Sequence, residues 1–85
     1  MNANIKAAIL EVLKERIDRD NFGTLSRVTA SPRAHNLLWE NGIRIEGNTI
    51  TQNGKPVYRI IRKYATRKVN GMYKQLAPKL EAIPA

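Results

Sequence analysis

Two turn dipeptides set the strongest limit on how this chain folds: Gly47-Asn48 and Asn53-Gly54, with only Thr49-Ile50-Thr51-Gln52 between them. Both suit two-residue hairpin loops, and Asn-Gly is the strongest short hairpin signal because its residues tolerate positive φ. They predict a three-stranded antiparallel meander: Ile43 to Glu46, Thr49 to Gln52, then Pro56 to about Arg62. With two-residue loops, Glu46 pairs with Thr49 and Gln52 with Lys55. Ile45, Ile50 and Val57 then line up on one face beside Ile43 and Ile61, and that face is core. The other face carries Arg44, Glu46, Thr49, Thr51, Tyr58, Ile60 and Arg62, and is partly open.

Helical spacing frames the meander. Ile5, Ile9, Val12, Leu13 and Ile17 form one stripe over residues 3–19, with Asn2 or Asn4 as cap and Asp20-Asn21-Phe22-Gly23 as stop. The β-branched content of residues 24–29 favours an extended piece over a helical turn. Ser31-Pro32 is a helix start, a hydroxyl cap followed by proline where the missing N–H is harmless. The helix runs from Arg33 to Asn41, and Gly42 takes the left-handed position after it. Ala34, Leu37, Leu38 and Asn41 share one face, and Arg33, Asn36 and Glu40 the opposite one. His35 and Trp39 lie between, read as a half-buried ring near a packed tryptophan. From Tyr64 onward, Ala65, Val69, Met72, Tyr73, Leu76 and Leu80 recur at helical spacing. They predict a C-terminal helix weakened at Gly71 and ended near Pro78, with Tyr73 in the core.

The expected fold is therefore α+β, one small domain over residues 1–85. It holds a three-stranded meander with N-terminal, middle and C-terminal helices. A short element, a tight turn, a helix and a following hairpin are similar in layout to a winged helix, a resemblance of arrangement that transfers no residue role. Arg33 and Asn36, near a helix start, have the chemistry to read guanine and adenine edges.

Catalysis finds little support. There is no cysteine and one histidine, whereas general acid–base work wants a histidine or paired carboxylates in one pocket. The helical acids sit at spacings that read as exposed, and Asp18 and Asp20 straddle a helix end. His35 has no second ligand at metal spacing, and the glycines are isolated, so no phosphate loop forms. No cofactor, metal or enzymatic activity is expected. No apolar run approaches the ~20 residues that span a bilayer, and no signal-peptide pattern is seen, so no membrane partner and a cytoplasmic location are expected.

Charge is the informative property. The chain of 85 residues carries a net +8. Residues 1–46 are nearly balanced, but residues 47–85 hold eight basic side chains against Glu81 alone. A basic half without acids attracts polyanions, nucleic acid first among them. Arg59, Arg62, Lys63, Arg67, Lys68 and Lys74 are interleaved with Tyr58, Tyr64 and Tyr73, so cations for phosphates alternate with rings that stack on bases. Arg44 shares the open sheet face with Tyr58. The expected function is non-enzymatic nucleic-acid binding, DNA slightly favoured over RNA. The alternative is a small adaptor or inhibitor, of the phage or mobile-element type, that docks this surface on an acidic protein.

Overall fold

The computed structural model describes residues 2–84. Helix α1 spans Ala3–Phe22 and a single 3-10 turn follows at Gly23–Leu25; helix α2 spans Pro32–Glu40. Six strands come next: β1 (Ile43–Glu46), β2 (Thr49–Gln52), β3 (Lys55–Ile61), β4 (Tyr64–Val69), β5 (Met72–Gln75) and β6 (Lys79–Ala82). The four-stranded antiparallel sheet has the order β1-β2-β3-β6, and β4-β5 form a separate two-stranded ribbon.

The helix ends follow their caps. Asn2 Oδ1 accepts the Ile5 N–H at 2.9 Å, and α1 ends at Gly23 with φ +56°. Ser31 Oγ accepts the Ala34 N–H at 3.1 Å, Pro32 occupies the first turn and Gly42 has φ +66°. A Cβ at Gly42 would run into the Asn53 side chain, so glycine is required there for space as well as for dihedral. Ile5, Ile9, Val12 and Leu13 of α1 meet Ala34 and Leu38 of α2 and Ile43, Ile50 and Ile60 of the sheet in one buried cluster.

The segment 26–31 forms neither strand nor helix. Four of its backbone donors go to carboxylates of α1 instead. Asp18 accepts from the Ser26 hydroxyl (2.6 Å), Arg27 N–H (2.9 Å) and Val28 N–H (3.1 Å). Glu15 accepts from Ala30 N–H (2.7 Å) and Glu11 from Ser31 N–H (2.8 Å). Acids spaced i, i+4, i+7 share one helix stripe, so three carboxylates clamp an extended loop along α1. They are thus not simply solvated, and Glu15 is only 9% exposed.

The C-terminal helix and the winged-helix layout do not occur. In their place stand the β4-β5 ribbon and β6. Asn70 (φ +53°) and Gly71 (φ +79°) make a left-handed two-residue turn, the geometry that closes hairpins and breaks helices. Tyr64, Thr66, Val69 and Tyr73 favour strands. Consequently Val69, Met72, Tyr73 and Leu76, read as a core stripe, are exposed, while Leu80 joins the core from β6.

The meander has its expected turns, with Glu46 opposite Thr49 and Gln52 opposite Lys55. A bulge then shifts the register: Thr51 faces Pro56 and Ile50 faces Tyr58, leaving Val57 unpaired against β2. Proline lacks the N–H a ladder needs and collects at bulges. The shift turns Tyr58 and Ile60 inward, opposite to expectation, and Ile60 pairs with Leu80 of β6.

Candidate nucleic-acid interface

The β4-β5 ribbon leaves the body between β3 and β6 and is held at its base. Leu76 N–H donates to Lys63 O at 2.8 Å. The Asn21 amide at the end of α1 makes a reciprocal pair with Gln75: Asn21 Nδ2 donates to Gln75 O and Gln75 N–H donates to Asn21 Oδ1, each at 2.9 Å. A side-chain amide thus acts as a short strand edge. Lys74 donates to Asn21 O and lies 4.8 Å from the Phe22 ring centroid.

Beyond this base the ribbon is open. Tyr64 is 53% exposed and Tyr73 49%, and with Ala65 and Met72 they line a shallow apolar depression. Lys68 faces Tyr73 in register, its ammonium 5.4 Å from the ring centroid. A cation over a ring is stabilised by the ring's negative face and stays available at its outer side. Lys63, Arg67 and Lys68 are exposed and have no carboxylate partner among the described residues.

The remaining candidates divide among other places. Arg59 is spent on Glu81, 3.0 Å away across the β3-β6 pair. Arg62 donates to Asn48 Oδ1 (2.6 Å), Gln75 Oε1 (3.2 Å) and Gly47 O (3.3 Å); it bolts the ribbon base to the first turn. Tyr58 packs against the core, with Lys6 5.8 Å from its ring centroid. Arg44 stands exposed on β1, at the far edge of the sheet from β6. Arg33 and Asn36 are exposed on α2 together with Glu40. The eight basic residues of the second half therefore do not make one patch. Three of them, Arg67, Lys68 and Lys74, lie on the ribbon, Lys74 engaged at its base, and Lys63 immediately precedes it.

Two features escape sequence reasoning. The first is the exposure of Tyr73 and Met72, signalled by Asn70-Gly71 but masked by the helical spacing around it. The second is a groove of about 580 Å³ between the helices and β1, bordered by Arg16, His35, Trp39 and Arg44. Trp39 is 79% exposed there rather than packed, and His35 Nε2 sits 3.5 Å from Glu15 Oε1.

The Asp18 carboxyl is held below the usual aspartate pKa. The Ser26 hydroxyl bond and then the Val28 N–H bond stabilise its carboxylate and lower its pKa; burial opposes them, and the Arg27 N–H bond adds a smaller lowering. These bonds belong to the loop clamp. Among the described residues no group of three or more His, Asp or Glu side chains is placed to hold a metal ion, and no helix is long and apolar enough to cross a membrane. Comparison of the chain with protein-family models, curated proteins and solved structures finds no match.

Proposed function

We propose that this chain is a non-enzymatic nucleic-acid-binding protein of the cytoplasm that uses the β4-β5 ribbon as a basic arm, with DNA as the preferred partner. The observation that carries the reading is the composition of that arm. Arg67 and Lys68 stand on a projecting ribbon with exposed Tyr64 and Tyr73, Lys63 and Lys74 flank its base, and no acid lies between Gly47 and Leu80. A two-stranded ribbon fits the major groove of B-form DNA, whereas the major groove of A-form RNA is too deep and narrow for side chains to read. Cations on the strands meet phosphates and fix the register; the tyrosines stack on bases wherever a strand is open. Arg33 and Asn36 on α2 add base contacts only where the helix reaches the same duplex.

The test is a titration of labelled duplex and single strand at two salt concentrations. Three to four phosphate contacts give a log–log slope of about −3 to −4 on duplex. Absence of binding even near ~50 mM salt, where counterion release is most favourable, overturns the reading.

Val69, Met72 and Leu76 also lie open on or beside the ribbon, and methionine is enriched at protein interfaces. That observation supports the adaptor reading, in which the arm docks on an acidic protein. Nuclease treatment separates the two: a partner retained on the immobilised chain afterwards is a protein.

A further inference from the structure

The sheet ends on β1, which pairs with a strand on one side only. Gly42 O accepts from Asn53 N–H at 2.8 Å, so in this antiparallel ladder residues 42, 44 and 46 bond toward β2. Ile43 and Ile45 therefore direct their N–H and C=O groups outward. The opposite edge is managed differently. Ile83 N–H donates to Val57 O at 3.0 Å, so the backbone groups of Leu80 and Ala82 face outward on β6, and Pro78 and Pro84, which have no N–H, flank the strand. Prolines blunt an edge against further pairing. The β1 edge has none.

From this we infer that β1 pairs with β1 of a second copy of the chain, making one continuous eight-stranded sheet about a twofold axis. The β1 sequence Ile43-Arg44-Ile45-Glu46 is self-complementary in one register only. Opposed residues share a face, which removes the registers that place an isoleucine opposite a charge. Of the rest, centring the pair on Ile43 sets Arg44 against Gly42 and pairs no charges, centring it on Arg44 opposes two arginines, and centring it on Glu46 opposes two glutamates. Centring on Ile45 sets Arg44 of each copy against Glu46 of the other, twice, in the closely spaced non-hydrogen-bonded positions. The two Ile45 residues then exchange both backbone hydrogen bonds. Arg44 and Glu46 are both exposed and have no ion-pair partner among the described residues.

The groove beside β1 supports the same occupant. The axis stands perpendicular to the sheet, so the helices of both copies lie on one side of it. The two Trp39 side chains then flank the axis and cover each other's groove. That accounts for the most exposed large apolar side chain among the described residues. The inference is independent of the role given to the ribbon.

The experiment is mass measurement by light scattering across a concentration series. The full chain is nuclease-treated and held at an ionic strength that screens its net +8. The expected mass is twice 9.6 kDa. Arg44→Glu and Glu46→Arg, each alone, replace two attractive cross-strand pairs with two repulsive ones and weaken association roughly tenfold or more. Mixing those two variants restores a dimer of one of each, and the double exchange R44E/E46R restores the homodimer. A monomer at every concentration overturns the inference. So does a dimer that either single variant leaves unchanged, because association then uses another surface.

Discussion

Glu15→Ala tests the clamp that holds residues 26–31 to α1. Glu15 Oε2 is the acceptor for the Ala30 N–H, at 2.7 Å and in a buried setting where Ala30 is 4% exposed. Truncation leaves that donor without a partner, at a cost of about 1–3 kcal/mol, offset by at most a few tenths because alanine is the better helix former. A domain of this size has a total stability of roughly 4–13 kcal/mol, so the loss is a sizeable share. It corresponds to about 4–8 °C in melting temperature for each kcal/mol. Glu15→Gln keeps an acceptor oxygen and forfeits only the charge assistance, so it loses less than the alanine variant. Urea denaturation of the three proteins, with hydrogen exchange at the Ala30 amide, measures both effects. A loss below about 0.5 kcal/mol for Glu15→Ala, the range of ordinary surface changes, refutes the clamp. Equal losses for alanine and glutamine refute the hydrogen-bond argument specifically.

Other expectations follow from single contacts. Asp18 has a lowered pKa in the folded chain, so its contribution is complete above the ordinary aspartate value and is lost as pH falls through its lower folded one, below about 4. Urea midpoints of the wild type and Asp18→Asn therefore converge on acidification; a gap that persists unchanged at pH ~2 contradicts the assignment. Gly71 has φ +79° with open space around it, so Gly71→Val strains the ribbon turn without touching the core. Amide exchange speeds up in residues 64–75 while the α1 amides keep their protection, and uniform loss across the chain counts against a locally closed ribbon. Leu38→Ala removes a buried core side chain and loses about 2–5 kcal/mol, whereas Trp39→Ala loses under about 0.5 kcal/mol of monomer stability because the ring is mostly in solvent. Thermal denaturation at a concentration where the chain is monomeric compares the two; similar losses contradict the exposure of Trp39.

The parts legible in the sequence are those fixed by local chemistry. Asn2, Ser31-Pro32 and Gly42 mark helix ends through hydrogen bonds and dihedrals that need few distant neighbours. Gly47-Asn48 and Asn53-Gly54 give the first two strands and their pairing for the same reason. The bulge at Val57 is less accessible, because Pro56 announces a ladder defect without saying which way the following residues turn. Residues 64–80 mislead because their apolar side chains satisfy a helical period. Asn70-Gly71 breaks it through two consecutive positive φ angles. The stripe Glu11, Glu15 and Asp18 is visible as spacing, yet its partners are backbone donors of a loop that only the folded chain brings alongside. The basic half is plain in the sequence, but which cations remain free is not. That depends on Glu81 reaching Arg59 and on Asn48 and Gln75 capturing Arg62.

The most direct test of the central claim, that the ribbon and not the whole basic half meets nucleic acid, is the salt dependence of duplex binding for three proteins. The wild type is compared with Arg67→Glu/Lys68→Glu and with Arg59→Gln. The ribbon variant is expected to bind more weakly at every salt concentration, with a log–log slope shallower by about two. Arg59→Gln keeps the wild-type slope, because Arg59 is already paired with Glu81. An unchanged slope in the ribbon variant, or a loss confined to Arg59→Gln, contradicts the account.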